Sequence, residues 1–210
     1  MLGTVMFADL RSFTAFSETL PPDAVIRLLN RYLEGMSEAI LGHGGTLVAY
    51  MGDGVMAVFG APIEQPDHAD RALAAAREML RERLPEFNRY LRAEGLSEEG
   101  FKLGIGLNSG YVMSGNVGSS RRLEYTAVGD TTNTAARLER MTKATPYHLL
   151  MSGATRELLR EQDRGVAYVR ESAIEGRDGE VALWSVAEAF DGTTGAPVSE
   201  ARRPAALPAG

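Results

Sequence analysis

Two aspartates stand out because each follows a run of strand-forming residues and has the chemistry to bind a cation. Asp53 lies in a Gly-Asp-Gly turn between two such runs, at 46–50 and 55–59, and this pattern is a strong signal for a β-hairpin. Asp9 follows another apolar run, at 1–8. If the strands are neighbours, both carboxylates lie at one sheet edge. Hard oxygen ligands of this kind, with room for water and phosphate oxygens, suit Mg²⁺ or Mn²⁺.

A purely conformational explanation of Asp53 remains open, because Asp beside Gly is favoured in turns for backbone reasons alone. The similar setting of Asp9 favours the metal-binding interpretation. After Asp9 the chain turns into a short polar and aromatic segment at 11–16. The sequence therefore predicts a divalent metal site beside a tight turn.

A second candidate pair is Asn133 and Arg137, which are four residues apart in a predicted helix. We expect this helix to begin with Asp130 as its N-cap and to run to about Thr142. The spacing places the amide and the guanidinium on one helix face. Together they suit a ribose oxygen and a phosphate in a charged transition state. Taken alone, the pair also fits a solvated helix face.

The elements that must position these residues begin with a long helix and a hairpin. The helix starts at 21–23, where Pro and Asp favour a helix N-terminus, and carries an apolar face until Gly42 ends it. The hairpin around Asp53 follows. An Ala-rich helix is predicted over 67–84, and Pro85 perturbs or ends it, with continuation to about Ala93.

The next predicted strand, at 101–110, has little side-chain bulk on one face because Gly104 and Gly106 alternate with apolar residues. Glycines in this pattern indicate close backbone approach. The remaining predicted elements are a partner strand at 111–115, a loop at 118–122, strands at 123–128 and 147–151, a helix at 154–160, and strands at 166–169 and 181–186.

This order of elements predicts an α+β fold with a ferredoxin-like βαββαβ core and C-terminal α/β additions. We expect one domain over residues 1–190, and a disordered tail or linker over 191–210, where Gly, Thr, Pro and Ala dominate without periodicity. Nucleotide polymerase palms share this layout, so the fold alone does not name a reaction.

Composition excludes several classes of function. The 210 residues contain no cysteine, so no disulfide, thiolate metal site or cysteine nucleophile is available. The three histidines, His43, His68 and His148, form no zinc-ligand pattern. A formal net charge of −6 argues against a nucleic-acid-binding domain. No apolar run is long enough to span a membrane, and the apolar start is expected to be a strand rather than a signal peptide, so we expect a cytoplasmic protein.

Three segments together resemble the class III nucleotidyl cyclase catalytic domain, in its bacterial threonine type. They are Phe7-Ala8-Asp9-Leu10-Arg11-Ser12-Phe13-Thr14, Gly52-Asp53-Gly54-Val55-Met56-Ala57-Val58-Phe59, and the stretch from Glu124 to Glu139 that contains Thr126, Asn133 and Arg137. The similarity runs over roughly residues 3–187. It implies a head-to-tail homodimer with two composite sites, each taking metal ligands from one chain and transition-state residues from the other.

The resemblance assigns roles residue by residue. It implies that Asp9, Leu10 and Asp53 hold two Mg²⁺ or Mn²⁺ ions on the nucleotide triphosphate. It places the phosphates on backbone amides around Phe13 and Thr14, at a helix start. It implies further that Asn133 orients the ribose, and that Arg137 offsets charge growing at the α-phosphate.

The purine-selecting positions depart from the pattern of adenine-specific members. Thr126 matches one of the two expected base contacts, but Ala49 stands where those members have a lysine. A second family lysine, directed at the triphosphate, aligns with Glu175, and Arg177 is a possible substitute two residues on. An early phosphate-side arginine found in mammalian relatives is replaced by Gly104. The metal and transition-state residues are retained, whereas the base contacts are reduced.

The leading hypothesis is therefore an adenylate cyclase that converts ATP to cyclic AMP and pyrophosphate. Two alternatives stay open: a guanylate or relaxed purine cyclase, and a catalytically weak domain that dimerises or senses nucleotides. The glutamate expected for guanine recognition is also absent at Ala49, and the retained transition-state pair counts against a module that only binds. A polymerase-palm diguanylate cyclase is disfavoured, because the GG(D/E)EF-type hairpin is missing.

Overall fold

The computed structural model describes residues 1–119, 122–160, 165–174 and 179–189. Its strands are β1 (Leu2–Leu10), β2 (Thr46–Met51), β3 (Gly54–Phe59), β4 (Leu103–Tyr111), β5 (Met113–Ser119), β6 (Arg122–Val128), β7 (Leu149–Ser152), β8 (Val166–Ala173) and β9 (Glu180–Val186). Its α-helices are α1 (Phe13–Ser17), α2 (Pro22–Gly42), α3 (His68–Glu78), α4 (Leu84–Ala93), α5 (Asp130–Met141) and α6 (Gly153–Glu157).

Seven strands form the main sheet in the order β2-β3-β1-β4-β7-β9-β8. The first four are antiparallel neighbours in the ferredoxin-like arrangement. β7 extends the sheet parallel to β4, and β9 and β8 follow antiparallel. The predicted α+β class and its C-terminal additions are thus confirmed.

Alternation along β1 decides which side chains face which layer, since successive residues of a strand point to opposite faces. Met6, Ala8 and Leu10 lie in the large core formed with α2, α3 and α4. Val5 lies in a smaller core on the other face, which includes Ala135 of α5. Asp9 has the same parity as Val5, so its side chain projects toward the α5 face.

The glycines of β4 allow α5 to lie directly on the sheet, which is the close backbone approach that the sequence predicted without naming the element. A Cβ at Gly106 would collide with the carbonyl oxygen of Ala135 and the amide of Glu139. A Cβ at Gly110 would lie 2.7 Å from the hydroxyl oxygen of Thr131. Any side chain at these positions would push the helix away, which fixes α5 against the strand beside β1.

Three expectations about local structure were wrong or incomplete. Gly129, not Asp130, is the N-cap of α5, because the cap has a φ of 125° that glycine adopts without strain, and Asp130 is the first helical residue. The predicted continuation past Pro85 to Ala93 is present, and that expectation was incomplete only in the form of the perturbation: one wider π-type turn at Met79–Arg83 joins α3 to α4 and places the proline in the first turn of α4.

The third concerns the strand that follows β4. β5 pairs with β6 in a separate two-stranded ribbon. β4 offers no free edge for it, because β1 and β7 occupy its two sides. The ribbon also takes in part of the segment expected to be a loop at 118–122. The stretch 191–210, expected to be a tail, lies outside the described residues.

Candidate active site

Asp9 and Asp53 are brought together at one edge of the main sheet. β1 and β3 pair antiparallel with Ala8 opposite Val55, and Asp53 lies in the turn just before β3. The two carboxylates are close enough to interact directly, since, in addition to burial, the Asp9 side chain contributes both a charge and a hydrogen bond to the shift in the pKa of Asp53. The prediction that the strand carrying Asp9 and the hairpin around Asp53 are neighbours is therefore confirmed for β1 and β3.

The electrostatics of this pair favour a bound cation. Burial raises the pKa of Asp53, and the nearby Asp9 carboxylate raises it further. Two like charges held close and partly out of water repel each other, and a divalent ion would relieve that repulsion. Within the described part of the chain, no group of three or more His, Cys, Asp or Glu side chains forms a fuller cage. A pair of carboxylates with open positions for water and phosphate fits Mg²⁺ or Mn²⁺.

Leu10 can contribute to such a site only through its backbone, because its side chain is buried in the core. It pairs with Leu103 at the end of β1, next to Asp9. A carbonyl oxygen at this point is a suitable hard ligand.

The turn after β1 presents backbone amides close to the two aspartates. Ser12 adopts a left-handed conformation, with φ 65° and ψ 15°, and α1 starts directly after it. The aromatic ring of Phe13 is buried and packs against Phe101, with ring centroids 5.7 Å apart. Thr14 is exposed. The buried ring anchors the turn, and the first amides of the helix have no intrahelical acceptor.

Asn133 and Arg137 lie on the outer side of α5. Asn133 is exposed and Arg137 partly so, whereas Ala135 and Leu138 are fully buried. The helix start is held by Asn108, whose side-chain amide donates to the Thr131 carbonyl oxygen over 3.0 Å. Among the described residues, no hydrogen bond or ion pair joins Asn133 or Arg137 to either aspartate. The two candidate pairs are therefore not joined by direct polar contacts within one chain.

The two positions expected to read the base lie on strands that contact each other. Ala49 lies on β2 opposite Met56, after a register shift in the strand, and packs against the same small core as Ala127. Ala127 follows Thr126 in β6, and β2 and β6 are in contact. Thr126 itself is partly exposed. Glu175 and Arg177, the positions considered for the triphosphate, lie outside the described residues.

Sequence reasoning missed two charged residues beside the aspartates. Lys143 Nζ lies 3.4 Å from Asp9 Oδ2. Glu139 is 7% exposed, and its Oε1 atom has no hydrogen-bond partner. Burial raises the pKa of Glu139 to about 6, while the charge of Lys143 opposes this shift. Glu139 lies in the C-terminal part of α5 and Lys143 just after it, at spacings of two and six residues from Arg137 that give no helical-face signal.

Comparisons with known proteins agree with this geometry. The profile of the family described as "Adenylate and Guanylate cyclase catalytic domain" matches residues 3–187. Adenylate cyclase 1 of Rhizobium meliloti is 41% identical over 151 residues, which is 72% of this chain and 22% of that protein. The adenylate cyclase of Anabaena cylindrica is 31% identical over 87% of this chain and 36% of its own length. The chain thus spans between a fifth and two fifths of these relatives.

Solved structures give the same result. The adenylyl cyclase CyaB from P. aeruginosa superposes with a TM-score of 0.80 at 33% identity, covering 88% of this chain and 93% of that one. The guanylyl cyclase Cya2 also superposes with a TM-score of 0.80, at 34% identity, covering 95% and 98%. The chain belongs to the adenylate and guanylate cyclase catalytic domain family. In the part of the chain that is described, no helix is both long and apolar enough for a membrane crossing.

Proposed function

We propose that this domain is an adenylate cyclase, which converts ATP to 3′,5′-cyclic AMP and pyrophosphate at a site shared between two copies of the chain. The observation that carries the proposal is the approach of Asp9 and Asp53 at one sheet edge, with Asn133 and Arg137 turned outward on α5. The first pair has the chemistry to hold metal and phosphate, and the second has the chemistry to hold ribose and transition-state charge.

In the proposed reaction, the ribose 3′-oxygen forms a bond to the α-phosphorus, the bond from that phosphorus to the pyrophosphate oxygen breaks, and the 3′-hydroxyl gives its proton to solvent water. Two divalent ions, when bound, would polarise phosphate oxygens and favour ionisation of the hydroxyl. Asp9, Asp53 and the Leu10 carbonyl would hold those ions. The amides near Phe13 and Thr14 would donate hydrogen bonds to the phosphate tail.

The transition-state residues would come from the partner copy. Arg137 would donate to an α-phosphate oxygen as its charge grows, and Asn133 would fix the ribose. An exposed apolar surface supports a homodimer. It includes side chains from the end of β4 and from the β5–β6 ribbon that are between 46% and 84% exposed: Tyr111, Met113, Val117, Leu123 and Val128. Large apolar side chains exposed on neighbouring strands are compatible with a protein contact there.

A guanylate or relaxed purine cyclase is the second candidate. It is favoured by the methyl side chain of Ala49, which offers the base no hydrogen bond, and by the equally close superposition on Cya2. Thr126 remains available to accept from the exocyclic amine of adenine, which favours ATP. We therefore expect ATP to be preferred over GTP by a narrow margin.

Identification of products from ATP and GTP, with Mg²⁺ and Mn²⁺ in turn, tests this function. We expect cyclic AMP and pyrophosphate from ATP, with more product in Mn²⁺. Asp9→Ala and Asp53→Ala should each lower the rate by several orders of magnitude, because the metal ligands are lost. Asp23→Ala, which removes an exposed carboxylate on α2, is the matched control. Full activity in a folded Asp53→Ala variant, or no cyclic nucleotide from either substrate, would reject the proposal.

A further inference from the structure

Lys143 forms an ion pair with one of the two aspartates of the candidate active site. Its Nζ atom lies 3.4 Å from Asp9 Oδ2. The lysine side chain is 53% exposed and that of Asp9 is 28% exposed. The pair is thus open to water on the lysine side, and it spans 134 residues of sequence.

The backbone of Lys143 is held firmly even though its side chain is half exposed. The preceding residue, Thr142, is fully buried, and its hydroxyl donates to the carbonyl oxygen of Glu139. Thr142 occupies the space that a side chain at Gly104 would fill, since a Cβ there would lie 2.5 Å from its hydroxyl oxygen. Gly104 pairs directly with Asp9. The pairing of Gly104 with Asp9 and the burial of Thr142 therefore hold the backbone of Lys143 close to Asp9.

The local charges explain why a cation is favourable here. Asp9 lies near enough to both Asp53 and Glu139 for its charge to raise the pKa of each of them. The positive charge of Lys143 lowers the pKa of Asp53 and of Glu139. Without a metal ion, Lys143 therefore offsets part of the repulsion between Asp9 and these two carboxylates.

The choice of lysine is informative in this chain. Lys143 and Lys102 are the two lysines among 22 basic residues, and the other 20 are arginines. Arginine binds a carboxylate through a rigid two-pronged fork, whereas lysine is a compact charge on a flexible stem. A lysine can leave a carboxylate more readily when a stronger cation arrives.

We propose that Lys143 is a displaceable counterion of the metal site. It neutralises Asp9 in the metal-free protein and gives way when a divalent ion binds to Asp9 and Asp53. It is a positioning residue, since it acts through Asp9. This inference rests on the proposed function in one respect only, the assignment of the two aspartates as metal ligands.

The experiment is a titration of Mn²⁺ alone into the purified full chain, without nucleotide, followed by the electron paramagnetic resonance signal of the free ion. Exposed ion pairs of this kind alter a binding constant by a factor of up to about five. We expect Lys143→Met to bind Mn²⁺ about two- to fivefold more tightly than the unaltered chain, because no resident cation must be displaced. We expect Lys143→Arg to bind it more weakly, because the guanidinium holds Asp9 through two contacts.

Lys102→Met is the matched control, because Lys102 is an exposed lysine directly before β4. We expect this variant to have unchanged Mn²⁺ affinity. If Lys143→Met bound Mn²⁺ more tightly and Lys143→Arg bound it more weakly, a purely structural role of Lys143 would not explain the two results. Unchanged or weaker Mn²⁺ binding by a folded Lys143→Met variant would overturn the inference while leaving the cyclase proposal intact. If Asp53→Asn, made in the chain that retains Lys143, did not reduce Mn²⁺ binding, both the assignment of the aspartates as metal ligands and this inference would be rejected.

Discussion

Gly104 lies directly opposite Asp9 in the pairing of β1 with β4, and the hydrogen that replaces its side chain leaves the space used by Thr142 and Glu139. A Cβ at this point would lie 2.5 Å from the Thr142 hydroxyl oxygen and 3.0 Å from Glu139 Oε1. The end of α5 can therefore reach Asp9 only because residue 104 is glycine.

Gly104→Ala should destabilise the domain by about 1–3 kcal/mol, the usual cost of forcing an extra carbon into a packed region. Chemical denaturation followed by circular dichroism measures this difference. Gly115→Ala is the control, because a Cβ at Gly115 has no neighbour within 4 Å. Equal stability of the Gly104→Ala variant and the unaltered chain would show that α5 is not seated on β4 as described.

Glu139→Gln should raise stability at alkaline pH and have little effect under acidic conditions. The pKa of Glu139 is raised from 4.5 to about 6 in the folded chain, chiefly by burial. The folded state thus binds this proton more tightly than the unfolded state, so the penalty for a charged Glu139 is absent below about pH 4.5 and complete above about pH 6. At 1.4 kcal/mol per pKa unit, the penalty is about 2 kcal/mol.

Denaturation of the two proteins at pH 8 and at pH 4.5 tests this expectation. The gain should be present at pH 8 and disappear at pH 4.5. Glu34→Gln on the exposed side of α2 should show no such difference. A Glu139→Gln variant that is less stable at pH 8 would mean that the charged carboxylate has a favourable partner in the native state.

Mixing two inactive variants tests whether the site is shared between chains. Asp53→Ala would lack a proposed metal ligand and Asn133→Ala a proposed ribose contact, so each homodimer should be inactive. Random exchange gives about half heterodimers, and each of these has one intact site of two, so the mixture should recover roughly a quarter of the unaltered activity. Cyclic nucleotide production after demonstrated subunit exchange is the measurement. A mixture that stays inactive would place both residues in the same site of one chain.

Ala49→Lys tests the base-reading position. Ala49 is only partly buried on β2, so a longer side chain at this position can extend toward solvent. One added hydrogen bond to the base is worth about 1–3 kcal/mol of discrimination, or roughly ten- to a hundredfold. We expect kcat/KM for ATP to rise and the preference for ATP over GTP to widen, with Ala49→Met as the size-matched control. An unchanged ratio in the folded Lys variant would mean that another residue reads the base.

Local patterns predicted most of the elements around the candidate site. The hairpin that carries Asp53 and the helix α2 followed from turn chemistry and apolar periodicity, both of which act over a few residues. The close approach at Gly106 was predicted because a glycine inside a strand has few other uses. The partner of β5 was not predicted, since it depends on which edges of β4 are already occupied.

The contact between Lys143 and Asp9 could not be predicted from the sequence for a similar reason. It depends on the seating of α5 on the sheet, which brings together residues from opposite parts of the chain. The N-cap of α5 was misassigned because Asp130 is a better capping residue than Gly129 by propensity, but the backbone conformation at that point selects glycine.

The seating of α5 also has a mechanical consequence. The inner side of this helix, where its backbone rests on Gly106, leads to Lys143 at Asp9, while its outer side carries Asn133 and Arg137. In the proposed two-fold dimer, α5 and the residues just after it would thus contact the proposed metal ligands of their own chain and the substrate held by the other chain. Any tilt of α5 would alter both proposed sites at once, so the two sites of the dimer would not respond independently to substrate.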